Sequence, residues 1–214
     1  EVDLRQALID IESFKNSSEV CDAARDDLEE QIVELEDKLN PVEGTCRFRN
    51  TTEGYTCLGN NLSINLTTEQ SFNWTGTHNG SSSNVDVKVL LIKSQSVKFM
   101  PLDVGKFFVN LIALTVDASG LSKLRKNDFV SLEKLQKIAI INNEISSIES
   151  TTFDLLGALV ELNLSNNNLT SLPAKAFDKL TSLTSLDLSD NKLTQFRFDL
   201  IPADNSISLF YGQN

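Results

Sequence analysis

The sequence predicts an α/β solenoid of parallel strands with a disulfide-capped N-terminus and a long helix ahead of it. An apolar pattern that recurs every 24 residues from residue 87 predicts the solenoid, and an apolar heptad pattern over residues 1–40 predicts the helix. Charge divides the same regions: residues 1–40 hold 13 acidic and 4 basic residues, a net of −9 within a total of −11. We therefore predict a helix over 1–40, a cap over 41–86 and repeats over 87–214.

The helix predicted over residues 1–40 is amphipathic, and Asn40-Pro41 predicts its end. Ser18 and Arg25 interrupt the apolar heptad positions in the middle, whereas both ends of the segment keep them. An apolar stripe on an isolated helix has to be buried against a partner or its own domain. The spacing favours a self-associating coiled coil, and a helix folded back on its own domain is the alternative. The apolar heptad positions are Leu4, Ala7, Ile11, Phe14, Leu28, Ile32, Leu35 and Leu39.

Two cysteines ahead of the repeats, Cys46 and Cys57, flank Gly54 and predict a hairpin closed by a disulfide over the N-terminal end of the repeat core. A metal site would need two further ligands, and His78 is the only histidine in the chain. Its Gly-Thr-His-Asn-Gly context predicts a solvent-exposed loop, so we predict neither a metal nor a cofactor. A disulfide of this kind indicates an oxidising compartment and a secreted, extracellular protein.

Cys21 is left over once Cys46 and Cys57 are paired, and an odd cysteine in a secreted protein suggests an intermolecular partner. It falls at the fourth heptad position, where equivalent residues face each other across the seam of a parallel two-stranded coil. We therefore predict an interchain Cys21 disulfide in a homo-oligomer. A buried free thiol, or pairing with a cysteine further along the chain or in another protein, is the alternative.

The repeats begin at residues 87, 111, 135, 159 and 183, with a partial unit at 207. The first, fourth and sixth positions of each unit are apolar, which predicts a short parallel strand with these side chains turned inward. The ninth position is asparagine in three units, and its amide can bond backbone groups at the bend after the strand. The nineteenth position is phenylalanine in three units. These residues are Asn143, Asn167 and Asn191, and Phe129, Phe153 and Phe177.

Both ends of the repeat region depart from the pattern. The ninth position is Gln95 in the first unit and Ser119 in the second, and Gly105 replaces phenylalanine in the first. We expect less regular loops there. At the other end, Ile207 and Phe210 restart the apolar pattern. We expect either that the natural chain continues or that a partner covers this apolar edge.

The pattern over residues 87–212 resembles the 24-residue extracellular form of the leucine-rich repeat family. The resemblance implies a right-handed horseshoe with parallel strands on its concave face and phenylalanines on its convex side. The cap Cys-Arg-Phe-Arg and Tyr-Thr-Cys, with Asn84-Val85-Asp86-Val87 and Leu90-Leu91-Ile92 after it, is similar to secreted leucine-rich-repeat proteins of insects, especially flies, midges and mosquitoes. Some mosquito members add a coiled coil, are disulfide-linked and carry complement-like factors in innate immunity. The resemblance thus implies innate-immune recognition, although the helix here precedes the repeats.

Eight N-x-S/T sequons predict an N-glycosylated protein. With 20 asparagines and 38 serines and threonines among 214 residues, chance alone would give roughly three to four. An Asn/Ser/Thr-rich cap is the alternative explanation, because the excess lies between residues 50 and 79. The sequons begin at Asn16, Asn50, Asn61, Asn65, Asn73, Asn79, Asn163 and Asn168.

Composition and motifs argue against several classes of function. The sequence pI of about 4.6 argues against nucleic-acid binding, which needs a basic footprint. No apolar run approaches about 18 residues, so the sequence predicts no membrane span. It contains no GxSxG, HExxH or P-loop motif, so we predict that the protein is not an enzyme.

The outward side chains of the predicted strands indicate a binding face. They occupy the third, fifth and seventh positions of each unit and line the concave side. The early strands present apolar side chains and the later strands present polar and acidic ones. The apolar part suggests a protein partner, and scattered exposed apolar residues are the alternative. The candidate face residues are Val89, Leu91, Ala113, Thr115, Lys137, Ala139, Ile141, Glu161, Asn163 and Asp187.

These observations together predict a secreted, glycosylated protein that binds another protein on its concave face and self-associates through its N-terminal helix. A structural component of an extracellular assembly or fibre is the alternative, because the helix and an open repeat edge could join copies of the chain. A size measurement in solution, with a search for fibres, distinguishes these two functions.

Overall fold

In a computed structural model, the described residues are 42–60, 63–64, 72–101, 103–195, 200 and 207–212, together with Gln6 and Asp10. The chain divides into two compact units, Glu1–Val42 and Glu43–Asn214. In the first unit, Gln6 and Asp10 are helical, and Gln6 Nε2 donates to Asp10 Oδ1 at 2.9 Å. The rest of the predicted heptad pattern lies outside the described residues. Within those residues, no helix is long and apolar enough to cross a bilayer.

The second unit is built on one main sheet. The described strands are β1 (Val42–Thr51), β2 (Gly54–Asn60), β3 (Ser63–Ile64), β4 (Phe72–Thr75), β5 (Val89–Lys93), β6 (Ser96–Val97), β7 (Ala113–Asp117), β8 (Lys137–Ile141), β9 (Glu161–Asn163), β10 (Ser185–Asp187) and β11 (Ser208–Phe210). The main sheet has the order β11-β10-β9-β8-β7-β5-β2-β1-β4, and β3 pairs with β6. Strands β1 and β2 form an antiparallel hairpin. Strand β2 then pairs with β5 in parallel, and each later strand of the main sheet pairs in parallel with its neighbour. The described helical segments are α1 (Val104–Phe107) and two 3₁₀ turns, Asn84–Asp86 and Lys126–Phe129.

Strands β5 to β10 pair with the 24-residue offset that the repeat predicts. The buried fourth positions that stand opposite one another are Leu90, Leu114, Ile138, Leu162 and Leu186. Alternate side chains of a strand face opposite sides, so this register brings all the inward side chains into one core. The bend after each strand also repeats, with a left-handed backbone at the eighth position. These positions are Ser94, Ala118, Asn142, Asn166 and Asp190, with φ between 48° and 56°.

The last described turn departs from the predicted start at residue 207. Leu186 pairs with Leu209, and Asp187 pairs with Phe210, an offset of 23 residues rather than 24. A shift of one residue turns every side chain of a strand to the opposite face. Leu209 therefore takes the inward row, and Phe210 faces outward with 55% of its surface exposed. The start at 207, with Phe210 as a core residue, is wrong by one position.

The ninth-position asparagines bond the bends as predicted. The Oδ1 atom of Asn143 accepts from the backbone N–H groups of Ser119 at 3.0 Å and Leu121 at 3.2 Å. Its Nδ2 atom donates to the carbonyl oxygens of Val116 at 2.9 Å and Ile141 at 2.7 Å. In the next two units, the Oδ1 atoms of Asn167 and Asn191 accept from the backbone N–H groups of Ile145 and Leu169, respectively. Their Nδ2 atoms again donate to carbonyl oxygens of the preceding unit and of their own. Each buried amide thus satisfies backbone groups that the bend leaves without strand partners.

The nineteenth-position phenylalanines pack against one another behind the sheet, Phe129 tilted on Phe153 and Phe153 stacked on Phe177. The ring centroids of Phe129 and Phe153 lie 5.6 Å apart, and those of Phe153 and Phe177 lie 5.9 Å apart. In the first unit, Gly105 occupies this place because the chain runs too close to the next turn. A Cβ atom on Gly105 would lie 2.3 Å from the carbonyl oxygen of Val130. The first turn therefore has backbone contact where the later turns have aromatic rings.

A disulfide between Cys46 and Cys57 joins the two strands of the hairpin, with Cα atoms 5.2 Å apart. Cys57 stands opposite Leu90 where β2 pairs with β5, so the hairpin continues the sheet on the N-terminal side of the first repeat. Behind the hairpin strands, the Trp74 and Phe108 rings pack with centroids 5.4 Å apart. The buried hairpin side chains therefore join the core of the first repeat.

His78 is not the solvent-exposed loop residue that its sequence context predicts. Its half-buried ring stacks on Phe48 with centroids 3.8 Å apart. Its Nε2 atom forms a hydrogen bond of 2.9 Å with Asn84 Oδ1, and its Nδ1 atom forms one of 3.2 Å with the Tyr55 hydroxyl. The backbone N–H of Asn79 donates in turn to the Tyr55 hydroxyl at 2.9 Å. The glycine-flanked sequence indicates the turn, but the hairpin aromatics decide where the ring packs.

Candidate functional site

The middle of the sheet carries a groove on its outward face. The groove has a volume of about 250 Å³ and is formed by β7, β8 and β9 with the turn ahead of β2. The small side chains of Ala113, Thr115 and Ala139 lie half-buried along it. We call this depression the sheet groove; it is lined by Glu53, Ala113, Leu114, Thr115, Lys137, Ile138, Ala139, Glu161 and Asn163.

The strand register decides which side chains share this face. One row consists of Ala113, Lys137 and Glu161, and the row beside it consists of Thr115, Ala139 and Asn163. These third and fifth positions alternate with the inward fourth position, so both rows point away from the core. The fold thereby gathers residues from three successive units into one surface.

On the repeat strands, the basic side chains of this face are paired with carboxylates; the exposed Arg47 and Arg49 lie at the hairpin end of the same sheet, opposite Leu58 and Thr56. Lys137 Nζ lies 3.0 Å from Glu161 Oε1, with the side chains 55% and 49% exposed. In a third row, Lys93 of β5 stands opposite Asp117 of β7, and Lys93 Nζ lies 3.7 Å from Asp117 Oδ2. Within the described part of the chain, no basic side chain pairs with Glu53 on the hairpin turn. The sheet groove therefore carries an excess of negative charge.

Asp187 continues the second row on β10, opposite Asn163. Its Oδ1 atom accepts from the Ser189 backbone N–H at 3.0 Å and from the Ser189 hydroxyl at 2.6 Å. Its Oδ2 atom accepts from Asn163 Nδ2 at 3.3 Å. These neutral donors orient the carboxylate without cancelling its charge. A second groove of about 490 Å³ begins here and is lined by Asp187, Ser189, Asp190, Leu209, Phe210, Tyr211 and Gly212.

Comparisons with known proteins agree with this architecture. A family model described as leucine rich repeat matches residues 109–169 and 158–201. No curated protein matches the sequence. Among solved structures, a chain of the Toll–Spatzle complex, described as a molecular hub in Drosophila development and innate immunity, is similar with a TM-score of 0.54 and 20% identity.

The similarity to that solved structure covers 68% of this chain and 23% of the other. This chain thus spans about a quarter of the length of its structural relative. At 20% identity the likeness concerns the fold: a solenoid of leucine-rich repeats with parallel strands.

One predicted face residue of the first repeat, Val89, is 2% exposed and does not belong to the open surface. It stands opposite Thr56 of β2, which is also buried. The hairpin turn reaches over this row: the hydroxyls of Thr51 and Thr56 are 3.0 Å apart, and Glu53 on the same turn lines the sheet groove. The prediction is wrong because it treats the first repeat strand as the edge of the face.

The predicted apolar patch is therefore not one continuous surface. Leu91 and Ile141 are half-buried and lie outside the sheet groove, whereas Ala113 lies inside it. Leu91 stands opposite Leu58 of β2, which belongs to the same row. The open apolar surface of the leucine-rich-repeat sheet is centred on small side chains in the middle rather than on large ones at the N-terminal edge.

Sequence reasoning missed Glu53 and Leu58 on this face. A signal for Leu58 exists, because Thr56-Cys57-Leu58 has the same outward–inward–outward order as Val89-Leu90-Leu91 of the first repeat. Treating the second hairpin strand as the first strand of the sheet would have found it. No local pattern places the side chain of a turn residue such as Glu53 beside a strand 60 residues later.

The predicted glycosylation sites fall in different surroundings. Asn50 and Asn79 are exposed beside the hairpin, and Asn79 Nδ2 donates to the Phe48 carbonyl oxygen at 3.2 Å. Asn163 and Asn168 are half-buried in the leucine-rich repeats, and Asn163 lines the sheet groove. The side chain of Asn73 in β4 is not among those described. The remaining sites, with the candidate interchain cysteine, lie outside the described residues: Asn16, Asn61, Asn65 and Cys21.

Proposed function

We propose that this chain is part of a secreted glycoprotein that binds another protein on the concave face of its repeats and self-associates through its N-terminal segment. The sheet groove carries the proposal. Its volume of about 250 Å³ is below the roughly 300–1,000 Å³ of most small-molecule pockets. A groove of this size on a broad sheet suits one or two side chains of a protein rather than a metabolite.

The chemistry of the face supports the same function. Ala113 and Ala139 supply an apolar centre, and Glu53, Lys137 and Glu161 supply a charged surround. An apolar centre with a polar rim is the usual arrangement of a protein interface. Small outward side chains also leave the backbone of the sheet accessible to a close approach by the partner.

The proposed extracellular location rests on the cap. The Cys46–Cys57 disulfide is a feature of oxidising compartments. Asn50 and Asn79 are exposed sequons on the same hairpin region, where glycans have room. The structural relative is itself solved with a protein, Spatzle, and is described in terms of innate immunity. We include innate-immune recognition in the proposal on that likeness and on the insect resemblance of the cap.

Filling the sheet groove tests protein binding. Ala139→Trp places a large ring in the groove without touching the inward rows, so it should keep the fold and block the partner. Both forms would be immobilised and exposed to extracellular fluid of the natural source, and captured proteins compared by mass spectrometry. A protein held by the unmodified chain and lost with Ala139→Trp supports the proposal. Identical captured sets contradict it.

Self-association is tested on a non-reducing gel. The proposal expects a covalent dimer that Cys21→Ser converts to a monomer, because Cys21 is the odd cysteine at a seam position of the heptad pattern. A monomeric band for the unmodified protein would refute the disulfide. Light scattering on the same samples separates a defined dimer from larger assemblies or fibres, which would instead support the structural alternative.

Glycan mapping tests the proposed secretion and the proposed face together. Treatment with an N-glycan amidase should lower the apparent mass by several kilodaltons, with occupied sites at Asn50 and Asn79. Asn163 should be unmodified, because a glycan on its Nδ2 atom would fill the sheet groove and displace the contact with Asp187. Full occupancy of Asn163 would rule out protein binding in this groove.

A further inference from the structure

We propose that the partner segment is basic: an extended stretch of another protein lays small or aliphatic side chains over Ala113 and Ala139 and sets a lysine or arginine against Asp187. This inference rests on the proposed function and names the chemistry of its partner. It follows from how charge is distributed over the rows of the concave face.

The positive charges of the repeat strands on this face are already neutralised by carboxylates. The exposed Arg47 and Arg49 on the same face belong to β1, which lies at the other end of the sheet from β10. Lys137 pairs with Glu161 at 3.0 Å, and Lys93 pairs with Asp117 at 3.7 Å. Within the described residues, Asp187 has no basic partner. The face therefore keeps uncompensated negative charge on β10, beyond the small residues of β7 and β8. A partner with the opposite charge at that place is complementary, and an acidic partner is repelled.

The carboxylate of Asp187 is also preorganised for binding a cation. Three hydrogen bonds from Ser189 and Asn163 fix its two oxygens, so little side-chain freedom is lost when a cation binds. All three donors are neutral and leave the carboxylate its full charge. On the neighbouring strand, Phe210 stands opposite Asp187 with 55% of its surface exposed. An exposed aromatic ring beside a carboxylate offers a lysine or arginine both an ion pair and a cation–π contact.

The two parts of the face lie at a spacing that one extended segment spans. Ala139 and Asp187 occupy the same row, two strands apart, which is about 10 Å at the usual strand separation. About three residues of extended chain cover that distance. Aliphatic side chains over the alanines and a basic side chain over Asp187 can therefore come from neighbouring positions of one segment.

Two synthetic peptides of matched length test the charge preference. Both carry alanine and leucine, one with lysines and the other with glutamates at the same remaining positions. Binding to the full chain would be measured by fluorescence anisotropy at about 0.15 M salt, where long-range attraction is screened. The lysine peptide should bind at least tenfold tighter than the glutamate peptide. Equal affinity, or preference for the glutamate peptide, would overturn the inference.

A matched pair of variants separates this site from general attraction to an acidic protein. Asp187→Asn and Asp178→Asn remove the same charge, but Asp178 lies in a convex-side groove with Lys175 and Lys179. Asp187→Asn should weaken lysine-peptide binding fivefold or more, and Asp178→Asn less than twofold. Equal losses would mean non-specific attraction and would defeat the proposal. Circular dichroism confirms that both variants fold.

The same variants distinguish failure of this inference from failure of the proposed function. If capture of a natural partner depends on Ala139 but is unchanged by Asp187→Asn, protein binding in the sheet groove stands and the basic partner is wrong. If neither substitution affects capture, the binding face itself is wrong.

Discussion

The N-terminal and C-terminal turns of the solenoid meet the same packing requirement with different side chains. From Asn143 onward, each bend is held by a buried amide, and phenylalanines stack behind the sheet. In the second unit Ser119 replaces the amide, its hydroxyl donating to the Asp117 carbonyl oxygen at 2.9 Å. In the first unit, Gly105 and direct backbone contact replace the ring. The regular turns are thus stabilised by the same contacts in each unit, and the irregular turns by contacts that differ from one unit to the next.

The difference extends to the outward face. Over the first repeat strand the hairpin covers Val89, whereas over β7 and β8 the small residues Ala113 and Ala139 are left open. The cap therefore does more than close the core, because its turn also sets one boundary of the groove through Glu53. The face available to a partner begins after the irregular part of the molecule and extends over the regular part.

The largest expected effect on stability comes from placing an aspartate at the covered position Val89, in comparison with the same substitution at the open position Ala139. Val89→Asp should lower the free energy of unfolding by about 3–5 kcal/mol or prevent folding, because it buries an unpaired carboxylate. Ala139→Asp should cost less than about 1 kcal/mol, since its side chain opens into the groove. Urea denaturation measures both. Equal stability of the two variants would show that the hairpin does not cover Val89.

A second test compares the two ways of holding a bend. Asn143→Ala removes four backbone contacts from a buried amide and should cost about 3 kcal/mol, because each orphaned buried group costs roughly 1–3 kcal/mol. Ser119→Ala, at the same position one unit earlier, removes only hydroxyl contacts and should cost about 1 kcal/mol. Thermal and urea unfolding give both values. A larger loss for Ser119→Ala would reverse the contrast between regular and irregular turns.

The third test concerns the close approach in the first turn. Gly105→Ala should lower the free energy of unfolding by about 2 kcal/mol, because its Cβ would lie 2.3 Å from the Val130 carbonyl oxygen and the turns must separate. Gly157→Ala is the matched control. A Cβ there would meet only the Lys179 carbonyl oxygen at 3.9 Å, so its stability should change by less than about 0.5 kcal/mol. If Gly105→Ala is equally neutral, the backbone contact is not as close as described.

The regular turns were predictable because each unit can be compared with its equivalents in the sequence. A residue such as Leu114 is inward in one unit because its equivalents are inward in the others, and the register follows from the 24-residue period. The covered state of Val89 and the packing of His78 depend on the hairpin, which has no second copy in the sequence to compare. The one-residue shift at Phe210 could not be predicted for a related reason. An apolar residue fits either phase of a short strand, and only the pairing with β10 determines which side chain faces inward.

The same limit applies to the site. The period alone placed Thr115, Ala139 and Asn163 in one row, because their spacing is the repeat length. The depression among them arises from side-chain size and from the hairpin turn, and Glu53 reaches it only through the tertiary fold. Sequence periodicity could therefore predict the face but not its groove.

The smallest expected effect concerns the ion pair in the middle of the open face. Glu161→Gln removes the partner of Lys137, and both side chains are about half exposed, so the free energy of unfolding should fall by less than about 0.5 kcal/mol. In the irregular part, Asp128 is buried, its Oδ2 atom accepts from the Arg125 backbone N–H at 2.7 Å and its Oδ1 atom lies 3.4 Å from Arg125 Nη2, so Asp128→Asn breaks a buried ion pair and should cost more. Urea denaturation at about 0.1 M and 1 M salt checks the reason, because screening should erase the effect of Glu161→Gln and leave that of Asp128→Asn. A Glu161→Gln loss that persists at high salt would mean that the pair helps to hold the sheet together, and the open face would then be part of the structural framework.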